Sequence, residues 1–525
     1  MSNQAHRNPL FQLKDFSFFY QDQAEAVINQ LTVSLYADEV TLLMGASGAG
    51  KSTLALCLNG QYPEAVEGTA KGEILFQGKA TQDYAKGKLN QKVGIVFQDP
   101  ESQFCMIRVE DELAFVLENM AIPGEEMYMR ILTALKQVGM QDFLYHKIHD
   151  LSGGQKQKIA LASVLLMEPD YLILDEPTAN LDPVSRLEFI EDIMRLQKEL
   201  QQGVLVIEHQ AEDWVDYADR MLVLNHASQV VIDDQPATVF SAYQEELRSH
   251  HIAFPPAYRE EQKQALPAIH EYDSAPLMDI AQLAFQYKKQ SILNHVSFSI
   301  YPGELMAILG ENGAGKSTLL QLLTRLKQPQ GGRITLHQKN LNAWSEHELR
   351  KRTGFVFQQP EHQFIRDTVY QEITFGMQLN DMPAKQLESR ASALLKLLHL
   401  EKHQARNPFM LSGGQKRRLS VATMLDDTPD LLFFDEPTYG QDHQTTKELL
   451  DIIHSLREQG TAVVIVTHDM ELVAQHCQRA VVLNEGGIAF DGDPDHLWEK
   501  TPLLNKARLR APYHKRFPNK VASML

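Results

Sequence analysis

The chain has 525 residues, 43% of them hydrophobic, which is more than one hydrophobic core usually organises, so we expect two domains. Its formal net charge of −18 at pH 7 argues against a surface built to coat nucleic acid, because that binding depends on clustered lysines and arginines. The three cysteines indicate neither a disulfide framework nor a metal cluster, and no apolar run reaches the roughly 20 residues of a membrane helix or forms a secretory core, so we expect neither membrane spanning nor export.

The first predicted element is a strand over residues 16–20, and a similar strand over residues 283–287 opens the second half. Each strand ends in an aromatic residue, Tyr20 or Tyr287, upstream of a glycine-rich loop. An exposed ring there could stack on a flat base at small entropic cost. An ordinary aromatic at a strand end explains the spacing equally well, so both interpretations stay open.

Two continuous apolar runs, residues 40–44 and 305–309, are typical of central parallel strands. Each leads into Gly, four residues and Gly-Lys-Ser, the pattern of a phosphate-binding loop before a helix. Glycines let backbone N–H groups surround phosphate oxygens, the lysine reaches the β and γ phosphates, and the serine holds Mg²⁺. The predicted nucleotide-binding residues are Gly45, Ser47, Gly48, Ala49, Gly50, Lys51, Ser52 and Thr53 in the first half, and Gly310, Asn312, Gly313, Ala314, Gly315, Lys316, Ser317 and Thr318 in the second.

Another pair of predicted strands ends at Gln98 and Gln358, each followed by a polar loop, Asp-Pro-Glu-Ser-Gln-Phe or Gln-Pro-Glu-His-Gln-Phe. A glutamine at a strand end can orient water or contact Mg²⁺ while its loop moves with a partner. A turn punctuated by proline is the alternative. Duplication of the segment favours the first interpretation. Helical sequence follows in both halves and indicates a small helical lobe.

The hexapeptide Leu-Ser-Gly-Gly-Gln-Lys occurs at residues 151–156 and again at 411–416. Serine before helical sequence is an ordinary N-cap, yet the adjacent glycines also let backbone amides approach an anion. Capping would leave the repeated Gln-Lys unexplained, so we favour phosphate binding. The predicted residues are Ser152, Gly153, Gly154 and Gln155 in the first copy, and Ser412, Gly413, Gly414 and Gln415 in the second.

Two further apolar strands each deliver an acidic pair, Asp175 with Glu176 and Asp435 with Glu436. We predict that the aspartate completes a magnesium site and that the glutamate polarises the attacking water or accepts its proton. A solvated turn is the alternative, but it is remote beside two phosphate loops. The predicted magnesium ligands are Ser52, Gln98, Asp175, Ser317, Gln358 and Asp435.

The last repeated feature is an apolar strand that ends in histidine, at His209 and at His468. A lone histidine is usually structural. One at the same strand edge as the magnesium carboxylates can instead contact the γ phosphate. We therefore predict His209 and His468 as catalytic residues, together with Glu176 and Glu436.

These motifs, in this order and twice over, resemble the Walker A, Q-loop, signature, Walker B, D-loop and H-loop of ATP-binding cassette (ABC) transporter ATPases. The resemblance covers roughly residues 8–250 and 277–512, with a linker at 251–276 and a basic tail at 513–525 that is either solvated or faces a membrane. It implies two tandem α/β P-loop NTPase domains, each with a mostly parallel core sheet, an antiparallel β subdomain and a helical signature subdomain. ATP and Mg²⁺ are the implied cofactors, and ATP hydrolysis coupled to transport is the implied activity.

The resemblance also implies that each ATP lies between the Walker motifs of one half and the signature of the other. The proline-containing linker would raise the effective concentration of the halves, so we expect an intramolecular pair. The D-loops depart from the common Ala-Leu-Asp, reading Asn-Leu-Asp at 180–182 and Gly-Gln-Asp at 440–442. In addition, Glu208 precedes the first histidine where Thr467 precedes the second. We therefore predict two competent but unequal ATPase sites.

The segments after Gln98 and Gln358 resemble the energy-coupling factor branch, whose ATPases drive vitamin and metal-ion importers, and the fusion of two cassettes most resembles the hydroxymethylpyrimidine (HMP)/thiamine import type. This implies a transmembrane coupling subunit docked at the Q-loop regions, a separate substrate-binding membrane subunit and a place on the cytoplasmic face of the cell membrane, with no nucleic acid partner. The alternatives are a fused sugar-importer ATPase, whose second cassette is commonly degenerate, and a soluble twin-cassette ATPase of ribosomes, which usually carries a long basic helix between cassettes.

Overall fold

The computed structural model describes residues 8–21, 25–46, 48–62, 68–179, 181–250, 252–258, 275–288, 290–438, 441 and 443–516, without the side chains of residues 443 and 444. The chain divides into two units, Met1–Arg259 and Glu260–Leu525. Of the positions named above, the following lie outside the described residues: Ser47, Asn180, Gly440, Asp442, residues 251 and 259–274 of the predicted linker, and residues 517–525 of the predicted tail.

The first unit combines two sheets with helices. Its strands are β1 (Phe11–Tyr20), β2 (Ile28–Leu35), β3 (Val40–Gly45), β4 (Gly68–Phe76), β5 (Lys79–Ala80), β6 (Val93–Val96), β7 (Tyr171–Asp175), β8 (Gly203–Ile207), β9 (Arg220–Leu224) and β10 (Val230–Asp234). Its α-helices are α1 (Lys51–Asn59), α2 (Lys88–Lys92), α3 (Val109–Asn119), α4 (Gly124–Gln137), α5 (Gly153–Leu165), α6 (Pro183–Leu200), α7 (Pro236–Ala242) and α8 (Gln244–Ser249). The core sheet has the order β10-β9-β3-β8-β7-β6 and is parallel except for β10. The second sheet, β2-β1-β4-β5, is antiparallel.

The second unit repeats this architecture. Its strands are β11 (Met278–Tyr287), β12 (Gln290–Ile300), β13 (Leu305–Leu309), β14 (Gly331–Leu336), β15 (Lys339–Asn340), β16 (Thr353–Val356), β17 (Leu431–Asp435), β18 (Ala462–Val466), β19 (Arg479–Asn484) and β20 (Gly487–Gly492). Its α-helices are α9 (Lys316–Leu323), α10 (Glu346–Arg352), α11 (Val369–Leu379), α12 (Ala384–Leu397), α13 (Gly413–Ala422), α14 (His443–Glu458), α15 (Met470–His476), α16 (Pro494–Trp498), α17 (Thr501–Lys506) and α18 (Tyr513–Arg516). The core sheet, β16-β17-β18-β13-β19-β20, is parallel except for β20, and β12-β11-β14-β15 is antiparallel. The predicted fold class is therefore confirmed.

Helices and the second sheet cover both faces of each core sheet, which is why its central strands are continuously apolar. In β7, Tyr171 and Ile173 pack into the cluster shared with the antiparallel sheet and α1. Leu172 and Leu174, between and after them, pack into the cluster shared with α3, α4 and α5. Because side chains alternate along a strand, one apolar run fills both cores and carries Asp175 to the edge of the sheet.

Residues near the end of the first unit are more ordered than an exposed connector would be. Ile252 is buried, and Phe254 and Tyr258 pack partly buried against the core of the first unit. The part of the predicted linker from residue 252 to 258 therefore belongs to the first folded unit. At the start of the predicted tail, α18 carries Lys515, whose ammonium lies 3.0 Å from Asp495. In the described part of the chain, no helix combines the length and apolar character that crossing a bilayer requires.

A pair of partly buried histidines occurs in the second unit. His454 on α14 and His476 at the end of α15 share a hydrogen bond of 2.9 Å between ring nitrogens. Burial, with the neighbouring His454, lowers the pKa of His476 to about 4, and burial also lowers the pKa of His454. The equivalent positions of the first unit hold Met194 and Tyr217, which are partly buried against its core.

We expect this pair to make the second unit sensitive to acid. A base whose pKa is depressed by folding stabilises the folded state above its unfolded pKa, and this stabilisation is lost as pH falls toward the folded pKa. For His476 the loss should be on the order of 1–2 kcal/mol at pH 5. Thermal unfolding at pH 8 and pH 5 should show a smaller acid shift in the double variant His454→Met, His476→Tyr, which copies the first unit. An unchanged acid shift would contradict the prediction.

Candidate functional site

The first phosphate loop joins β3 to α1. Gly48 and Gly50 take left-handed φ values of 82° and 78°, and a Cβ on Gly50 would lie 2.6 Å from a backbone oxygen. Lys51 is buried at the start of α1, where its ammonium donates hydrogen bonds to the carbonyl oxygens of Gly45 (2.8 Å) and Ala46 (3.1 Å). The loop therefore curls around the lysine, with the N-terminus of α1 beside it, as a phosphate site requires.

The second phosphate loop is built in the same way between β13 and α9. Gly313 and Gly315 have φ values of 88° and 97°. The ammonium of Lys316 donates to the carbonyl oxygens of Gly310 (2.7 Å) and Glu311 (2.9 Å). It also lies 3.3 Å from Nε2 of His468, which brings the predicted catalytic histidine to the loop.

Of the predicted magnesium ligands, each serine meets its aspartate at the carboxyl ends of the core strands, whereas the side chain of Gln98 bonds Glu176 instead. The Ser52 hydroxyl donates to Oδ1 of Asp175 at 3.2 Å, and burial raises the pKa of Asp175 to about 6. Asp435 is hydrogen-bonded to Ser317, and burial raises its pKa as well. Hydroxyl and carboxylate oxygens are the hard ligands that Mg²⁺ prefers, so both donor sets fit this ion.

Two hydrogen bonds hold Glu176, the first of the predicted catalytic glutamates. Glu176 has a φ of 47°, which is rare for a side-chain-bearing residue and stores strain at the end of β7. Its carboxylate accepts a hydrogen bond from Nε2 of His209 at 2.8 Å and one from the amide of Gln98 at 2.8 Å. Burial alone would raise the pKa of Glu176, but the hydrogen bond and charge of His209 and the attraction of Lys51 lower it below its usual value. The carboxylate is thus kept ionised, as a base requires.

The second glutamate lies in a different environment. Glu436 has a similar φ of 48°, and its Oε1 is 3.3 Å from Nε2 of His468. That nitrogen is also 2.9 Å from Oδ1 of Asn312. Burial raises the pKa of Glu436, opposite to the direction at Glu176. Each half therefore brings a glutamate and a histidine together, but the histidine contacts differ and the two carboxyl pKa values are shifted in opposite directions.

The hexapeptides begin α5 and α13 with a reciprocal capping box. The Ser152 hydroxyl accepts from the backbone N–H of Gln155 (3.3 Å), whose side-chain oxygen accepts from the Ser152 N–H (2.9 Å). Ser412 and Gln415 repeat both bonds. A capping box requires glutamine or glutamate at this position, so the argument that capping leaves the glutamine unexplained is wrong. Phosphate binding by these residues stays a prediction that rests on the family resemblance.

The repeated lysine of the hexapeptide also has a structural partner. Lys156 lies 2.5 Å from Oε1 of Glu101, and Lys416 lies 3.0 Å from Oε1 of Glu361. Both glutamates lie in short 3-10 helices, Pro100–Gln103 and Pro360–Gln363, directly after the Q-loop glutamines. These ion pairs were not predicted from the sequence, although the Pro-Glu repeated after each Q-loop glutamine was a usable signal.

A second contact joins each Q-loop to the signature helix. The side chain of Gln157 donates to the carbonyl oxygen of Phe97 at 3.3 Å. At the equivalent position, the buried Arg417 donates to the carbonyl oxygens of Phe357 and Gln358, both at 2.5 Å. This position was not predicted from the sequence. A neutral side chain in one half, Gln157, is replaced there by a cation, Arg417, in the other.

The two tyrosines differ in their surroundings. The Tyr20 hydroxyl shares a hydrogen bond of 2.9 Å with the Thr53 hydroxyl of α1, which ties β1 to the phosphate-loop helix. Tyr287 is 43% exposed, and the Lys327 ammonium lies 4.8 Å from its ring centroid. Tyr20 therefore lies beside the phosphate-loop helix, and Tyr287 lies beside a cation. Base stacking remains a prediction for each tyrosine.

The comparisons with known proteins agree with this geometry. A family model described as ABC transporter matches residues 28–179 and again residues 293–439. The two matches contain both phosphate loops, both hexapeptides and both acidic pairs. The chain belongs to the ABC transporter family, and its enzymatic activity is the ATP hydrolysis that this family uses in transport.

Individual relatives match over almost the whole chain. The Bacillus subtilis protein YkoD, named as an HMP/thiamine import ATP-binding protein, is 42% identical over 96% of this chain and 95% of its own length. An ABC transporter ATP-binding protein of Methanosarcina acetivorans is 34% identical over 96% of this chain and 89% of its own length. A solved structure of cbiO1 from Clostridium perfringens, described as part of the ABC transporter complex cbiONQ, is 30% identical over 47% of this chain and 99% of its own, with a TM-score of 0.41.

Proposed function

We propose that this protein is the energy-coupling ATPase of an ABC importer of the energy-coupling factor type, in which separate membrane subunits carry the substrate. The cassettes are residues 8–250 and 277–512, and they act as an intramolecular pair on the cytoplasmic face of the membrane. HMP, thiamine or another vitamin precursor is the proposed substrate class, with metal ions as the alternative. The likeness to YkoD along nearly the whole chain supports the import role.

The observation that carries the proposal is an exposed apolar surface beside each Q-loop. We call it the docking patch. Its residues are Met106 (37% exposed), Ile107 (70%) and Tyr145 (62%) in the first unit, and Ile365 (64%), Phe409 (52%) and Met410 (78%) in the second. Exposed clusters of large apolar side chains mark surfaces that bind a protein or membrane partner.

Partly buried hydrogen bonds fix the backbone of the docking patch. In the first unit, the Glu112 carboxylate accepts the backbone N–H groups of Cys105 (2.9 Å) and Met106 (2.7 Å). In the second, Glu372 accepts those of Ile365 (3.0 Å) and Arg366 (2.7 Å). A charged acceptor strengthens such bonds, so each loop presents its apolar side chains from a fixed backbone.

The proposed chemistry follows from the site residues. Lys51 and Lys316, with the loop N–H groups, hold the phosphates of ATP, and Mg²⁺ bound by the serine and aspartate ligands would neutralise charge on the β and γ phosphates. Glu176 and Glu436 accept a proton from the attacking water. Each histidine positions its glutamate and the γ phosphate. Movement of the Q-loops, transmitted to the docking patch, would couple hydrolysis to the membrane subunits.

Co-purification tests this function. Tagged full-length protein, extracted from membranes in mild detergent, is expected to carry polytopic membrane proteins. The double variant Ile107→Glu, Ile365→Glu should lose them while its ATP turnover in isolation is unchanged, because charge on the docking patch opposes burial. Val231→Glu, at a 39% exposed position on the edge strand β10, is the matched control. Ribosomal particles in place of membrane proteins, or retention of the membrane proteins by the double variant, would overturn the proposal.

A further inference from the structure

A buried carboxyl group lies next to the first catalytic histidine. Glu208 is 4% exposed, and its Oε1 accepts hydrogen bonds from the Thr178 hydroxyl (2.6 Å) and the Thr178 backbone N–H (3.3 Å). Thr178 ends the Asp-Glu-Pro-Thr segment, and its carbonyl oxygen accepts the N–H of Leu181. Glu208 therefore ties the end of β8, which leads to His209, to the loop that follows Glu176.

Two further charges share this region. Arg186 on α6 lies 3.3 Å from Asp213, whose side chain is 8% exposed. Burial would lower the pKa of Arg186, but attraction by Asp213, Glu212 and Glu208 raises it instead. The Arg186–Asp213 ion pair therefore joins the loop after His209 to α6, the helix that follows the D-loop. Glu208, at the end of β8, attracts Arg186 without a direct contact between them, and burial raises the pKa of Glu208 to about 7.

The second unit replaces Glu208, Arg186 and Asp213, all ionisable, with residues that carry no ionisable group. The helices α6 and α14 begin at equivalent positions, as do the segments that start at His209 and His468, so the equivalent residues can be read directly. The replacements for Glu208, Arg186 and Asp213 are Thr467, Thr446 and Leu472. Thr467 accepts a hydrogen bond from the N–H of Asp469 (3.0 Å) within its own loop, and Leu472 is buried in the core.

The replacement of these three ionisable residues together indicates that they work as one unit, because a buried arginine left without its carboxylate partner would be strongly destabilising. The histidine geometry differs in parallel. His209 lies 2.8 Å from Glu176, whereas His468 lies 3.3 Å from Glu436 and contacts Asn312 and Lys316 as well. The unit with the three ionisable residues is thus the one in which the histidine pairs closely with its glutamate.

We propose that Glu208 is a positioning residue of the first ATPase site, and that its hydrogen bonds to Thr178 and the nearby Arg186–Asp213 ion pair form a clamp that holds His209 on Glu176. The clamp acts through the histidine and does not touch ATP. It gives the first site a close histidine–glutamate pair, whereas in the second site His468 is shared among Glu436, Asn312 and Lys316. This inference rests on ATP hydrolysis and is independent of the import role.

Kinetics of purified full-length protein test the clamp. Glu208→Thr, which copies the second unit at one position, is expected to lower kcat in the Glu436→Gln background about tenfold or more, because small misplacement of catalytic groups has large effects on rate. KM for ATP should change less than kcat. Glu208→Gln retains an oxygen that can accept from Thr178 and should recover part of the loss. Without the Glu436→Gln substitution, kcat should again be lower in Glu208→Thr than in Glu208→Gln. Both decreases should be smaller there, because the second site still turns over ATP.

Two controls separate positioning from general destabilisation. Glu39→Gln removes another buried carboxylate of the first unit, which lies 3.1 Å from Arg220, and should leave kcat within twofold. The triple variant Glu208→Thr, Arg186→Thr, Asp213→Leu leaves no member of the clamp charged and should unfold near the wild-type temperature, yet keep the lowered kcat. If kcat returns to the wild-type value in the triple variant, or if Glu208→Thr has no effect in the wild-type chain, the clamp is only structural and the proposal is wrong.

Discussion

The double variant Glu176→Gln, Glu436→Gln is expected to lose ATP turnover by at least about 100-fold, because a positioned general base contributes about 10²–10⁴-fold to a rate. Glutamine keeps the size and hydrogen bonding of the side chain but cannot accept the proton. Each single variant should retain part of the turnover, since the other glutamate remains. Phosphate release at saturating ATP and Mg²⁺ measures all three variants.

The single variants Glu176→Gln and Glu436→Gln should lose different fractions of the ATP turnover. Glu176 is kept ionised by His209 and Lys51, whereas burial raises the pKa of Glu436, so Glu176→Gln should cost more turnover at neutral pH. Glu73→Gln, at an exposed position on β4, is a control for the loss of one negative charge and should have no effect. A glutamate whose substitution leaves turnover unchanged is not the base of its site.

The second large effect concerns the exchange of signature residues between halves. In the Glu436→Gln background, Ser412→Asp is expected to reduce turnover about tenfold or more, since about 1.4 kcal/mol of repulsion at the transition state is a factor of ten. Ser152→Asp should reduce it far less, because that serine is predicted to serve the site built on Lys316. Phosphate release again provides the measurement.

Aspartate is chosen because it preserves the helix cap. Aspartate caps a helix about as well as serine, so α13 and its fold should survive Ser412→Asp, and circular dichroism and thermal unfolding confirm this. The new charge would face phosphate only if the hexapeptide binds nucleotide. Full turnover in Ser412→Asp would mean that the hexapeptide is only a cap, and equal losses from both substitutions would refute the exchange between halves.

Much of the fold could be predicted from local sequence. The apolar run predicted β7, because a strand that is buried on both faces requires apolar residues throughout. The glycines predicted the loops before α1 and α9, because positive φ angles favour glycine. The order of the motifs then fixes which strand ends meet at one edge of the core sheet. The sequence therefore predicted which side chains gather beside Lys51 and Lys316.

Contacts between distant residues were the part that sequence reasoning missed. Lys156 and Glu101 are 55 positions apart, and Glu208 and Thr178 are 30 apart, so no periodicity links them. The asymmetry of the two glutamates depends on the burial of Glu436 and on the hydrogen bond from His209 to Glu176, and only packing decides both. The charged, proline-containing composition of the linker predicted an exposed connector. Phe254 and Tyr258 instead pack partly buried against the core of the first unit.

The ion pairs Lys156–Glu101 and Lys416–Glu361 provide a route by which membrane contacts on one cassette could affect the ATP site of the other. Each pair fastens a signature helix to the Q-loop segment of its own unit, next to that unit's docking patch. If each signature serves the nucleotide of the other half, a movement of the membrane subunit at one docking patch would shift the signature helix of that cassette. The shift would then act on the ATP that is bound to the Walker motifs of the opposite cassette. The rate of hydrolysis at each ATP site would then depend on the membrane contacts of the opposite cassette.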